Sequence, residues 1–140
     1  MGFRPAGRTA LVTGSVRGLG LEMARGPAAA GARVVLNGRD PVTLGQTAAR
    51  LRGEGGYDVT AAAFDVTGRD GAEQALAGLD GVDILVDSVG HRDRRGLAAL
   101  TPEEPAALLD TRLTSAYALS QLVARGPAAR GVAGRIVNVS

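Results

Sequence analysis

Thr13-Gly14-Ser15-Val16-Arg17-Gly18-Leu19-Gly20 is the stretch of this chain whose residue types and spacing could do chemistry. That chemistry would be the holding of a phosphate or pyrophosphate. Glycines let the backbone come close to the anion, and a following helix turns its free N–H groups and positive dipole end toward it. The apolar run Thr9-Ala10-Leu11-Val12 leads into the loop, and the helix-like Leu21-Glu22-Met23-Ala24-Arg25 leads out of it. A glycine loop alone also fits a plain turn. The strand before it and the helix after it favour the phosphate cradle.

The elements that must position this loop follow from the alternation of β-branched runs with longer helical stretches. Arg8–Thr13 reads as the first strand and Gly20 to about Ala30 as a helix. Arg33–Asn37 is the second strand, and Pro41 to about Arg52 a second helix, with proline suited to its first turn. Gly53–Gly56 reads as a turn, Asp58–Phe64 as the third strand and Asp70 to about Ala77 as a short helix. Val82–Val86 is the fourth strand. Thr101 to about Arg125 is the longest helix, with Pro102 at its start and Glu103 and Glu104 in its first turn. Arg135–Val139 is the fifth strand. Repeated β-α units predict an α/β fold, a doubly wound parallel sheet within a single domain spanning residues 1–140. Pro27 is expected to end or kink the first helix. The echo of Ala24–Ala29 in Ala124–Ala129 is too brief for a structural repeat and reads as biased composition.

Composition narrows the function classes. Apolar residues make up 45 % and aromatics 3 %, which predicts an aliphatic, alanine-rich core. There is no cysteine and one histidine, His91, so neither a disulfide framework nor a metal site is expected. All 16 basic residues are arginine, which removes lysine as a catalytic group. The arginines are scattered and the net charge is only +2, so nucleic acid is not an expected partner. No run approaches the roughly 20 apolar residues of a membrane span, and Met1–Arg8 lacks a signal-like apolar core, so a cytoplasmic setting is expected.

The loop pattern T-G-x-x-x-G-x-G resembles that of the short-chain dehydrogenase/reductase family, and four further stretches fit in order. These are Asn37-Gly38-Arg39-Asp40, Asp65-Val66, Asp87-Ser88-Val89-Gly90 (where the family has N-N-A-G) and Gly134-Arg135-Ile136-Val137-Asn138-Val139-Ser140. Members like gluconate 5-dehydrogenase and acyl-carrier-protein reductase are the nearest in pattern. The resemblance implies a Rossmann-like sheet of order 3-2-1-4-5, covering the N-terminal part of the family fold and ending after strand five. It implies that Gly14, Ser15, Arg17, Gly18, Leu19 and Gly20 serve the phosphates of a nicotinamide cofactor. Asn37 and Arg39 would meet the adenosine ribose, Asp65 and Val66 the adenine, and Asp87, Val89 and Gly90 the nicotinamide side.

The end of the second strand carries Arg39 and no carboxylate before Asp40, and Arg17 stands in the loop opposite. Two arginines suit a 2′-phosphate, which favours NADP(H) over NAD(H); as plain solvated surface charges they would make no such choice. The resemblance also implies hydride transfer to or from a small carbonyl or alcohol substrate, by a serine, a Tyr-x-x-x-Lys pair and an asparagine. Tyr57 is followed four residues on by Ala61 and Tyr117 by Gln121. Arg112 stands at the family's asparagine position, and Ser140 one residue before its catalytic serine. This chain alone is therefore not expected to turn over. A non-catalytic NADP(H)-binding module, and a non-redox reaction using Asp87, His91, Asp93 and Arg112, are the alternatives. The apolar fifth strand, or the long helix, whose Leu109, Leu113 and Tyr117 and whose Leu108, Leu119 and Leu122 lie on more than one face, is expected to make a homo-oligomer contact.

Overall fold

The computed structural model describes residues 2–89 and 97–139. Five strands form one parallel sheet: β1 (Thr9–Val12), β2 (Arg33–Gly38), β3 (Val59–Ala63), β4 (Ile84–Asp87) and β5 (Arg135–Asn138), in the spatial order β3-β2-β1-β4-β5. Ala10 pairs with Val34 on one side and Ile84 on the other, which places β1 at the centre. The order reverses direction at β1, and the crevice beyond the carboxyl ends of β1 and β4 is where such sheets bind ligands.

The strands are aliphatic because both of their faces are covered. Ala10, Val12, Val34, Leu36, Ile84 and Val86 point to one side and pack under α1 (Gly18–Ala29) and α2 (Pro41–Gly55). Leu11, Val35 and Leu85 alternate to the other, against α3 (Arg69–Ala77) and α5 (Ser115–Arg130), which bury Ala72, Leu119 and Val123. The sheet is doubly wound, as the β-α alternation implied.

Several boundaries differ from the sequence reading. α2 does not stop at Arg52. It runs through Gly53 to Gly55 and ends on Gly56, whose φ of 63° is left-handed and whose N–H donates to Arg52 O. The long helix is not continuous either. A short α4 (Glu104–Leu109) passes into a π-turn at Asp110–Thr114, and α5 then continues five residues beyond Arg125. The two proline-containing echoes have a shared structural meaning. In both, the helix carries proline near its end and exits with the same bonds: Gly31 N–H to Ala28 O and Ala32 N–H to Pro27 O, then Gly131 N–H to Ala128 O and Val132 N–H to Pro127 O. Pro27 therefore lies inside α1, two residues before its last. The repeat encodes one exit from helix to strand, used before β2 and again before β5.

Candidate functional site

The glycine loop lies between β1 and α1 and is pinned from both neighbouring strands. Ser15 Oγ donates to Val12 O at 2.7 Å and accepts the Asn37 N–H at 3.0 Å. From β4, Ser88 N–H donates to Thr13 Oγ1 at 3.0 Å, and the Thr13 hydroxyl in turn donates to Asp87 Oδ1. Gly14 and Gly18 have φ of 59° and 60°, the left-handed region that glycine enters without a Cβ clash. At Gly20 the reason for glycine is space: a Cβ there would lie 2.1 Å from Gly14 O. α1 starts with no side-chain cap and no acidic residue in its first turn, so its own first turn places no anion at its N-terminus. α2, by contrast, is capped by Asp40, which accepts the Val42 N–H.

A cleft of about 1260 Å³ opens from this loop across the ends of β2 and β3. Of the residues that the sequence singled out, Gly14, Arg17, Leu19, Gly20, Asn37, Arg39, Asp65, Val66 and Val89 line it. The guanidiniums of Arg17 and Arg39 make no hydrogen bond or ion pair among the described residues. Asp65 accepts from both the hydroxyl and the N–H of Thr67 at 2.7 and 2.9 Å. The Thr67 hydroxyl foremost and then its N–H hold the Asp65 carboxyl below the usual range; burial opposes them, and the charge of Arg39 adds the least. Asp65 is therefore an ionised acceptor across the neutral pH range.

Other expected residues lie elsewhere. Ser15 is fully buried beneath the loop, as a brace. Gly18 opens α1 without lining the cleft. Asn37 reaches the cleft, but its side chain, 1 % exposed, is engaged within the protein. Its Oδ1 accepts the Gly14 N–H at 3.3 Å, and its Nδ2 donates to Ala62 O and Phe64 O at 3.2 and 3.1 Å. Asp87 does not line the cleft. It lines a second cavity of about 440 Å³ together with Arg112, Tyr117, Ser120 and Asn138, and Val89 forms part of both walls. Gly90, His91 and Asp93 lie outside the described residues.

The cleft also contains residues to which the sequence reading gave no cofactor role. Gly38 is one: a Cβ there would come within 2.4 Å of Val16 Cγ2, and both line the cleft. Asp40 and Thr43 lie beside Arg39, and their Asp-Pro-x-Thr pattern is a legible helix start. Glu104, Ala107 and Leu108 close the far side from α4 and had no local signal.

Known proteins share this arrangement. The short chain dehydrogenase family model matches residues 8–140. Gluconate 5-dehydrogenase of Gluconobacter oxydans is 36 % identical over 141 aligned positions, covering 98 % of this chain and 54 % of that protein. A gluconate 5-dehydrogenase from Burkholderia cenocepacia, solved in complex with NADP and tartrate, superposes with a TM-score of 0.86 at 39 % identity, over 95 % of this chain and 53 % of that one. L-sorbose reductase from Gluconobacter frateurii, complexed with NADPH and L-sorbose, superposes with a TM-score of 0.85 at 29 % identity, over 97 % and 53 %. The chain thus spans about half the length of the relatives it matches. Match, sheet order and loop agree: the chain belongs to the short chain dehydrogenase family.

Proposed function

We propose that these 140 residues form the NADP(H)-binding part of an oxidoreductase that moves a hydride between nicotinamide and a small carbonyl or alcohol substrate. The observation that carries the cofactor choice is the charge at the end of β2. Arg17 and Arg39 flank the cleft without an ion pair among the described residues, and the carboxylate next to Arg39 in sequence, Asp40, is occupied as the cap of α2. A 2′-phosphate would take the two guanidiniums, whereas a bare ribose hydroxyl would find no carboxylate on β2 itself to accept it. The bare glycine backbone fits a pyrophosphate. Asp65 would accept from the adenine amino group, and Val66 would pack on its ring.

Bound there, NADP(H) would supply hydride exchange at its nicotinamide ring. Nothing in these residues matches a Tyr-x-x-x-Lys proton donor, since the chain has no lysine. The reading is therefore cofactor binding without turnover by this chain alone, and a non-catalytic NADP(H)-binding module is the second reading. The same reading places the protein in the cytoplasm. Among the described residues no helix is long and apolar enough to cross a membrane. We also place a homo-oligomer contact on Leu109, Leu113 and Tyr117, which are 59, 66 and 70 % exposed at a spacing of four. Titration with NADPH and separately with NADH, read by nicotinamide fluorescence, tests the reading. NADPH binding at least about tenfold tighter supports it. Equal affinities, or binding of neither, overturn it.

A further inference from the structure

Gly38 is the last residue of β2, and Val16 of the glycine loop faces it across the wall of the large cleft, which both residues line. A Cβ on Gly38 would lie 2.4 Å from Val16 Cγ2, yet 3.9 Å from Val16 Cβ and 3.6 Å from Leu44 Cδ1, which are ordinary contacts. One methyl of Val16 therefore fills the place where a side chain on Gly38 would begin. Backbone bonds hold the two residues face to face. Ser15 N–H donates to Asn37 O at 3.0 Å, and Ser15 Oγ accepts the Asn37 N–H at 3.0 Å, so the residues that follow them meet. Gly38 O accepts the Phe64 N–H at 3.1 Å, which ties it to β3. Val16 O accepts the hydroxyl of Thr47 on α2 at 3.3 Å, and the Val16 side chain packs against the core beneath α1 and α2. A β-branched side chain held in this way has little rotamer freedom with which to retreat. Gly38 does not have positive φ, so the glycine answers to space and not to backbone conformation.

In dinucleotide-binding sheets, a carboxylate at the end of this strand accepts the ribose 2′-hydroxyl of NAD(H). We propose that Val16 is a specificity-determining residue. Its Cγ2 methyl keeps Gly38 without a side chain, and so keeps a carboxylate out of the place from which it would hold a ribose hydroxyl or repel a 2′-phosphate. Cofactor choice then has two separate devices: Arg17 and Arg39 attract the phosphate, and Val16 excludes the competing acceptor. An aspartate in place of Gly38 is accepted only once Val16 is cut back, and Val16→Ala is enough, because the remaining Cβ stands at 3.9 Å. The specificity role rests on reading the cleft as the NADP(H) site, but the steric coupling of Val16 to Gly38 does not.

The coupling is tested first without ligand, by thermal melts of the 140-residue chain. Gly38→Ala is expected to lower Tm by about 5 °C in the parent and by less than about 1 °C in the Val16→Ala background, where the added Cβ meets only ordinary contacts. Equal shifts in the two backgrounds overturn the proposal. Titration with NADH and with NADPH, read by nicotinamide fluorescence, then tests the specificity. Val16→Ala/Gly38→Asp is expected to bind NADH at least about tenfold tighter than the parent and NADPH at least about tenfold more weakly, whereas Gly38→Asp alone gains no NADH affinity. A Gly38→Asp variant that gains as much as the double variant overturns the proposal. Should the double variant lose its thermal transition, the alanine pair decides: NADPH affinity lost in Gly38→Ala and regained in Val16→Ala/Gly38→Ala upholds the proposal, and equal affinity in the two overturns it. A parent that prefers NADPH, with no NADH gain in a folded Val16→Ala/Gly38→Asp, overturns the role of Val16 and leaves the cofactor reading standing. A parent that binds neither cofactor overturns that reading and the specificity role with it, even where the melts show the coupling.

Discussion

Asn37→Ala separates bracing from ligand contact. The Asn37 side chain makes three hydrogen bonds, to Gly14 N–H, Ala62 O and Phe64 O, from a position 1 % exposed. A hydrogen bond of this kind contributes about 1 kcal/mol net, and a buried group left without its partner costs about 1–3 kcal/mol. The bond to Phe64 O is buried, while those to Gly14 and Ala62 are partly buried, so water can compensate some of the loss there. The truncation should therefore destabilise the fold by about 3 kcal/mol, out of the roughly 5–15 kcal/mol that holds a typical domain. With an unfolding entropy of about 2.1 cal/mol/K per residue, a chain of this length loses about 10 °C of Tm. Asn37→Asp should be no milder, because it keeps the acceptor for Gly14 but turns an oxygen toward two carbonyls.

The assay is a thermal melt by circular dichroism with and without NADPH, beside a fluorescence titration of the same variant. The bracing role predicts that Tm and NADPH affinity fall together, since Asn37 holds the first glycine of the loop. A Tm within about 3 °C of the parent, corresponding to about 1 kcal/mol, with NADPH affinity lost would refute it. That result would mean that the amide acts on the ligand and that its three bonds inside the protein contribute little.

Four further outcomes follow from the same geometry. Arg17→Ala and Arg39→Ala should each weaken NADPH about tenfold and NADH by less than about twofold, with the NADPH effect shrinking as salt rises, in titrations at two ionic strengths. Gly20→Ala should abolish NADPH binding and lower Tm, because its Cβ would stand 2.1 Å from a backbone oxygen, whereas Gly45→Ala in open space within α2 should raise Tm by about 2–3 °C. Asp65 and Asp40 both have carboxyls held below their usual range, so their contribution to stability is complete above about pH 4 and is lost as pH falls through the depressed folded values; proton titration by NMR of Thr67→Ala should move the Asp65 midpoint upward and leave Asp40 in place. Leu113→Glu should shift sedimentation velocity toward the monomer, and a parent chain that is already monomeric at high concentration removes the oligomer proposal.

The sheet was legible because its strands carry their own signal. Ala10-Leu11-Val12 and Ile84-Leu85-Val86 are continuous apolar runs, and only a sheet covered on both faces needs them. The glycine loop was legible from its spacing and flanks. Breaks in helices were less so. Leu108–Thr114 contains neither glycine nor proline, so nothing local marks the π-turn that divides the long helix and sets Arg112 in the second cavity. Gly53 and Gly55 misled in the opposite sense. α2 continues through them, and the ring of Tyr57 lies where a Cβ on Gly55 would be. The role of Asn37 was hidden because its partners, Ala62 and Phe64, are 25 and 27 residues away and become neighbours only once β3 pairs with β2.

The distribution of charge shows why the cleft keeps its cations. All the basic side chains are arginine, and many of the described ones are satisfied inside the protein. Arg50 and Arg69 pair with acids four residues on in their own helices, and Arg25, Arg33 and Arg130 pair with Glu54, Asp58 and Asp83 on neighbouring segments. Arg8 and Arg135 stack on the ring of Phe3, and Arg52 donates to Val59 O. Around the cleft the acids are engaged differently. Asp40 caps α2, Asp65 is held by Thr67, and the loop is braced by Ser15, Asn37 and Ser88. Because neutral side chains do the bracing, Arg17 and Arg39 need no role in the fold. Their charges face the cleft beside the bare N-terminus of α1, and an incoming anion meets guanidiniums that need not first break an ion pair within the described structure.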